Sequence, residues 1–296
     1  MSMKNSILLA GLFLMAASCS SDESVNTVEN AEYFAPVTVS VDGFSVEQGD
    51  IPVTRAATAL KDYEFAKFVT LAFYRSDGSE AYKYTQVRDD TDTYTTFGEF
   101  SCNLPIGSYT MVVLCNDGNN EITLSSPTSA TYGENKVMET FATTQAVNIT
   151  SNNAVNLSAT LNRIISVVAV KSTDNRPNDV TQVRITYSGG DKSFNPTTGL
   201  ADNNGGFECV LGFSKPGGST TNIGSYLFLA TDEQNVDVLV EMLNSNGDVL
   251  YSRSAQNVPL KRNRITTLTG TLFNNTGVTS SFQVNEEWLT GHSVNF

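Results

Sequence analysis

The chain has 296 residues, 40% of them hydrophobic and 9% aromatic, which is material for one large or two ordinary domains. Its formal net charge is -13. Such a surface repels nucleic acid and anionic lipid headgroups, so neither is expected as a partner.

The first nineteen residues read as an export signal. Lys4 gives a basic start, Ile7–Met15 is apolar, and the small residues Ala16, Ala17 and Ser18 precede Cys19. The run Ile7–Ala17 is too short to span the ~30 Å of a bilayer core. A cysteine after small residues resembles a bacterial lipobox, although Ala16 stands where that motif usually has leucine. The resemblance implies acylation at Cys19, with a plain secretory signal as the alternative. Residues 20–35 then form a polar tether. Ser20-Ser21-Asp22-Glu23 resembles the acidic tether of Bacteroidetes surface lipoproteins, which implies the outer face of the outer membrane.

Beyond the tether the pattern is β almost throughout. Val37, Val39 and Val41 alternate with polar residues, as do Phe44 and Val46. Val69, Leu71 and Phe73 repeat the period of two, which puts one face in a core and the other in water. Tyr109, Met111 and Val113 do the same, while Val112 and Leu114 fill the opposite parity. That strand is expected to be covered on both faces. Only Ala57–Ala66 has a helical look, as a single turn or a loop.

Turn formers such as Ser76-Asp77-Gly78, Asn116-Asp117-Gly118 and Asn246-Gly247-Asp248 separate the runs. Pro105-Ile106-Gly107-Ser108 is predicted to turn a hairpin flanked by Cys102 and Cys115. These thiols and Cys209 are read as buried apolar residues, with a disulfide as the alternative.

A second wave begins after Arg163. Ile164–Val170 is a β-branched run suited to a central strand. Thr181–Tyr187, Ser225–Ala230, Val236–Leu243, Val249–Ser252 and Ile265–Phe273 follow, and Thr150–Asn156 is taken as the connection between halves. The expected fold is all-β, with two tandem β-sandwich domains over residues 36–160 and 161–296. One large sandwich is the alternative.

Catalytic and cofactor signatures are missing. His292 is the only histidine and sits four residues from the end, so a Ser-His-Asp arrangement would have to use it. No phosphate loop and no HExxH occur. Asp89-Asp90-Thr91-Asp92 lacks the glycine and distal glutamate of a calcium loop. No enzyme activity, cofactor or metal is expected.

Three patterns in order resemble the fimbrillins, the type V pilins of Bacteroidetes. They are Leu104-Pro105-Ile106-Gly107-Ser108-Tyr109 with the strand after it, Leu157–Arg163 leading into Val167–Val170, and Leu260-Lys261-Arg262-Asn263-Arg264-Ile265-Thr266 with Gly270 and Leu272. The first also occurs in transthyretin-like sandwiches. The resemblance implies two transthyretin-like Greek-key sandwiches in a structural or adhesive fimbrial subunit. It also implies cleavage after Arg55, leaving Ala56 as the new N-terminus and removing the lipid with the first strand.

A sandwich that loses an edge strand exposes a groove and unpaired backbone groups. A strand from a neighbouring subunit repairs both, and a head-to-tail contact of that kind propagates as a filament. The tail has a matching pattern. Phe282 and Val284 alternate with Ser281, Gln283 and Asn285, and Val294 and Phe296 alternate again. These four are the expected donor side chains. The alternative is an edge strand closing the chain's own second domain. Expected partners are other fimbrial subunits, the outer membrane before maturation, and host or bacterial surface ligands. A competing reading is a surface glycan-binding lipoprotein using Tyr82, Tyr84 and Tyr94 as a stacking platform.

Overall fold

The fold comes from a computed structural model, which describes residues 33–44, 59–118, 121–218, 221–274 and 282–288. Strands dominate it. The first half contains β1 (Phe34–Phe44), β2 (Phe68–Arg75), β3 (Glu80–Val87), β4 (Glu99–Pro105), β5 (Gly107–Asn116), β6 (Ile122–Ser126), β7 (Ser129–Tyr132), β8 (Thr140–Ile149) and β9 (Val155–Arg163). The second half contains β10 (Ser166–Ser172), β11 (Gln182–Tyr187), β12 (Ser193–Asn195), β13 (Leu200–Ala201), β14 (Phe207–Gly212), β15 (Asn222–Leu227), β16 (Glu233–Leu243), β17 (Val249–Lys261), β18 (Arg264–Gly270) and β19 (Gln283–Trp288). In the described part of the helical-looking stretch, Ala59–Ala66, there is a 3-10 turn at Leu60–Asp62.

Seven strands run in the order β3-β2-β5-β8-β9-β1-β4. β8 and β9 pair only at Phe141↔Arg163 and Ala142↔Asn162, so they splay apart beyond that point. The sheet therefore folds over on itself. The layer β3-β2-β5-β8 faces the layer β9-β1-β4 across a first core built from Val37, Val39, Leu71, Phe73, Phe100, Leu104, Met111 and their neighbours.

A second core lies between the sheets β15-β10-β18-β19 and β14-β11-β16-β17. The expected central strand is there: Val167, Val168, Ala169 and Val170 of β10 are all buried. A small sheet, β13-β12-β7-β6, joins a hairpin from before residue 160 to one from after it.

The two cores share a wall. On β5, Tyr109, Met111, Val113 and Cys115 enter the first core while Val112 and Leu114 enter the second. β2 does the same, with Val69, Leu71 and Phe73 on one side and Ala72 and Tyr74 on the other. The mixed parity read in β5 thus has a cause, since alternate side chains of one strand serve two cores.

Three expectations need correction. First, Pro105–Ser108 does not turn a hairpin, because β4 pairs with β1 while β5 pairs with β2 and β8. The segment arches from one layer to the other across the first core. The Tyr109 hydroxyl donates to the Pro105 carbonyl at 2.7 Å, supplying the bond a hairpin ladder would have given. Second, β1 is no edge strand. It pairs antiparallel with β4 on one side and parallel with β9 on the other. Third, Thr150–Asn156 does not join the halves: it links β8 to β9 at the end where they have splayed into opposite layers of the first core, and the chain passes to the second half at Ile164-Ile165.

Candidate functional site

β1 is the element that carries the candidate site. Ala35, Val37, Val39 and Val41 alternate inward, and a register shift between Val41 and Gly43 lets Phe44 point inward as well. Phe44 ends the strand in an aromatic cluster, 4.3 Å from the Phe141 ring and 4.7 Å from the Tyr63 ring. Taking β1 away would leave a slot open to β4 on one flank and β9 on the other.

The polar floor of that cluster joins the first core to the second half. The Tyr63 hydroxyl donates to Glu139 Oε2 at 2.7 Å. Glu139 Oε1 pairs with Arg163 Nε at 2.7 Å. Arg163 also donates to Asn263 Oδ1 at 3.0 Å and lies 5.0 Å from the Phe141 ring centre. Asn263, at φ 60°, turns β17 into β18 and donates its backbone N–H to the Ile165 carbonyl at 2.8 Å. Burial first, then the adjacent Glu139 charge, pushes the Tyr63 hydroxyl far above its ordinary range, so it stays protonated as a donor.

The chain that follows β1 is pinned separately. The Arg88 guanidinium donates to the carbonyls of Leu60 (2.9 Å), Lys61 (3.2 Å), Tyr63 (2.9 Å) and Ala66 (2.6 Å) and stacks 4.2 Å from the Phe97 ring centre. Residues 60–66 are thereby held to the end of β3 by contacts that do not involve β1.

Of the residues singled out in the sequence, Cys19, Arg55, Ala56, Val294 and Phe296 lie outside the described residues, as does His292. Arg55 belongs to the stretch joining Phe44 to Ala59. Phe282 and Val284 are described. β19 runs antiparallel to β18, with Leu268↔Val284 in register, and is the last strand of its sheet. Phe282 packs against the second core, while Val284 is 44% exposed.

Of the three tyrosines considered as a platform, Tyr82 and Tyr94 are partly buried against the first core, and the Tyr84 hydroxyl donates to the Thr93 carbonyl at 3.3 Å, beside Tyr94. Tyr82 packs on Phe73 at 6.5 Å, and the Tyr94 hydroxyl donates to the Arg88 carbonyl beside Phe97. Tyr84 is the exposed member. The acidic stretch Asp89–Asp92 runs into an exposed 3-10 turn, Thr91–Thr93. Among the described residues no three His, Cys, Asp or Glu side chains gather as a metal site. Cys115 and Cys209 are buried, Cys102 is half-buried, and all three are free thiols.

Sequence reading missed Glu139, Arg163 and Arg88 as partners. A signal existed for the first: Glu139 is the lone charge in the otherwise uncharged run Val137-Met138-Glu139-Thr140-Phe141-Ala142. A carboxylate there must find a buried cation.

A family model described as a family of unknown function (DUF6562) matches residues 35–292. No curated protein matches the sequence. The fold is similar to that of the fimbrial anchor protein Mfa2 from Porphyromonas gingivalis, at 13% identity over 88% of this chain and 100% of that one, with a TM-score of 0.52. It is also similar to two candidate adhesins from Bacteroides ovatus. One shares 11% identity over 88% of this chain and 97% of that one (TM-score 0.51). The other shares 12% identity over 82% and 88% (TM-score 0.50). The resemblance to the fimbrillins holds at the level of the fold.

Proposed function

For this chain, which belongs to the DUF6562 family of unknown function, we propose the role of a structural or adhesive fimbrial subunit without enzymatic activity. In this reading it reaches the cell surface as a lipoprotein acylated at Cys19. Cleavage after Arg55 leaves Ala56 as the N-terminus and frees the strand Phe34–Phe44 together with the lipid. A neighbouring copy then fills the vacated slot with its tail, through Phe282, Val284, Val294 and Phe296, and the contact repeats head to tail.

The observation that supports this most is the position of β1. It is interior to its sheet, yet its one covalent link to the rest of the fold is the stretch that contains Arg55. Val37, Val39, Val41 and Phe44 are all buried. At ~1.5–3 kcal/mol each, their burial is worth at most roughly 6–12 kcal/mol. A slot of that value, with unpaired backbone on both flanks, needs a replacement strand. The Arg88 clamp on residues 60–66 would keep the slot's entrance in place after cleavage. The adhesin and fimbrial-anchor neighbours share the fold and agree with a surface location.

Mass spectrometry of material sheared from cells tests the reading. The expected result is high-mass polymer with an N-terminus at Ala56, a lipidated full-length surface monomer for Arg55→Ala, and loss of fatty-acid labelling for Cys19→Ala. Normal filaments from Arg55→Ala, or unchanged labelling of Cys19→Ala, would overturn it.

A further inference from the structure

Exposed apolar side chains scattered singly over a surface mean little, but several gathered at one spot mark a contact. Among the described residues, the exposed Phe65, Tyr84, Val210, Leu239, Val249 and Val284 stand on separate segments. Tyr33, Phe34 and Ile106 stand together. Phe34 opens β1 opposite Pro105 of β4, and the Ile106 N–H donates to the Tyr33 carbonyl at 3.0 Å. Tyr33 is 64% exposed, Phe34 48% and Ile106 45%. The alternation that buries Ala35 and Val37 turns Phe34 and Pro36 outward.

The end of the first core that carries this patch is poor in charge. Gly107 of the arch pairs with Ile149, and Val155 pairs with Val37, so the turn between β8 and β9 lies at the same end as Tyr33 and Ile106. The Ser108 hydroxyl donates to Asn148 Oδ1 there at 3.1 Å. No charged residue occurs in 33–41, 100–116 or 140–162, in a chain whose net charge is -13. The β2–β3 turn reaches this end on one flank, since Arg75 pairs with Tyr109. Its charges balance, with Arg75 and Lys83 against Asp77 and Glu80.

The chain before Tyr33 points to what covers the patch. Tyr33 is the fourteenth residue after Cys19. Fully extended, that stretch spans at most about 50 Å. An acyl chain on Cys19 therefore keeps the patch near the membrane at an effective concentration on the order of mM. Three side chains too few to hold a membrane from free solution are then enough. Tyrosine suits the headgroup level, where its ring meets apolar atoms and its hydroxyl meets water.

We propose that Tyr33, Phe34 and Ile106 rest in the neutral headgroup zone of the membrane that holds the lipid, so that the anchored chain stands on the arch end of its first core. The proposal rests on the reading of Cys19 as acylated. The tether carries Asp22, Glu23, Glu29 and Glu32, so the attraction is apolar and not electrostatic. Loss of β1 would take Tyr33 and Phe34 away with the lipid and leave Ile106 behind. The contact therefore belongs to the anchored form.

Hydroxyl-radical footprinting read by mass spectrometry tests this. The lipidated chain in saturated phosphatidylcholine vesicles is compared with lipid-free residues 20–296 mixed with the same vesicles; the shorter chain keeps every described residue. Tyr33, Phe34 and Ile106 should oxidise at least about threefold more slowly in the anchored chain, because a face sunk in the headgroup zone excludes water. High salt should leave that protection unchanged. Tyr84 and Val249, exposed elsewhere, should oxidise equally in both chains. Phe34→Ser combined with Ile106→Ser should return Tyr33 to the free rate, and unchanged melting verifies the fold of that variant. Equal oxidation of the three residues in a chain that does carry its acyl groups would overturn the proposal and leave the lipidation reading standing. Protection that fades as chains are diluted on the vesicle surface would also overturn it, because a neighbouring copy would then be the cover. A mass without acyl groups on Cys19 would overturn the lipidation reading and the proposal with it.

Discussion

Glu139 and Arg163 are paired at 2.7 Å with their side chains only 2% and 11% exposed, and Tyr63 and Asn263 bond the two ends of the pair. As a unit, such a pair gains little over apolar residues. Losing one partner strands the other charge out of water. Glu139→Gln and Arg163→Met should each cost about 3–5 kcal/mol. The double variant should cost clearly less than the sum, because neither charge is then left alone. Denaturant melts of the four proteins check this; additive losses would mean the two residues do not act together.

The Tyr109–Pro105 bond closes the arch over the first core. Tyr109→Phe should keep the packing and lose about 0.5–1.5 kcal/mol. Tyr109→Ala should lose about 3–5 kcal/mol, because the buried ring goes too. If the Phe variant melts like the parent, the hydroxyl contributes nothing to the arch.

The shared wall of β2 and β5 predicts that the halves are not separable. A fragment of residues 33–163 would expose Ala72, Tyr74, Val112 and Leu114, which the intact chain buries in the second core. Neither it nor residues 164–296 should melt cooperatively alone, while co-expression should restore one transition. Calorimetry and a dye for exposed apolar surface test this, and two sharp independent melts would contradict it.

Alkali should unfold the protein early. Burial pushes the thiols of Cys102 and Cys209 up to about 11, pushes Cys115 higher still, and raises Tyr74 and Tyr82 to about 12. Between the unfolded and folded values the native state holds more protons than the unfolded chain, so stability falls as pH rises. The contribution is complete below the unfolded thiol value of about 8.5 and is lost through the folded values. Melting temperature should decline steadily from about pH 8.5 to 11. At pH 8 the native thiols should react slowly with a disulfide reagent, and rapid labelling would refute the burial.

The tail gives the fifth test. Deleting residues 279–296 removes β19 from β18. Val284 is 44% exposed and Phe282 is only partly buried, so the loss should be modest, about 1–3 kcal/mol. The truncated chain should stay folded and monomeric while filaments fail to form. A collapse of monomer stability would instead assign the strand to its own sheet for good.

What could be read from the sequence followed the strength of the periodic signal. β1, β2 and β5 are rich in valine, leucine and phenylalanine, and their parity placed the side chains correctly; β10 was legible as an unbroken β-branched run, and its Val167–Val170 are buried. The short strands β6, β7, β12 and β13 have two to five residues each and few apolar ones, so they gave no period to read. Pro105-Ile106-Gly107-Ser108 carries hairpin chemistry but makes an arch. Local turn residues fix a change of direction, not which strand becomes the neighbour. The status of β1 was hidden for the same reason, since parallel pairing with β9 joins residues more than a hundred positions apart. The Glu139–Arg163 pair needed β8 and β9 joined at Phe141↔Arg163 before its geometry existed, a pairing across 24 residues that no local pattern announces.

The common wall also has a mechanical meaning. Two beads on a flexible string respond to a pull by swinging at the link and then unravelling one after the other. Here β2 and β5 are structural members of both bodies at once. A load applied at one core cannot be relieved by hinging. It passes as shear through the β2–β5 ladder, and neither body can give way without taking the other's wall with it.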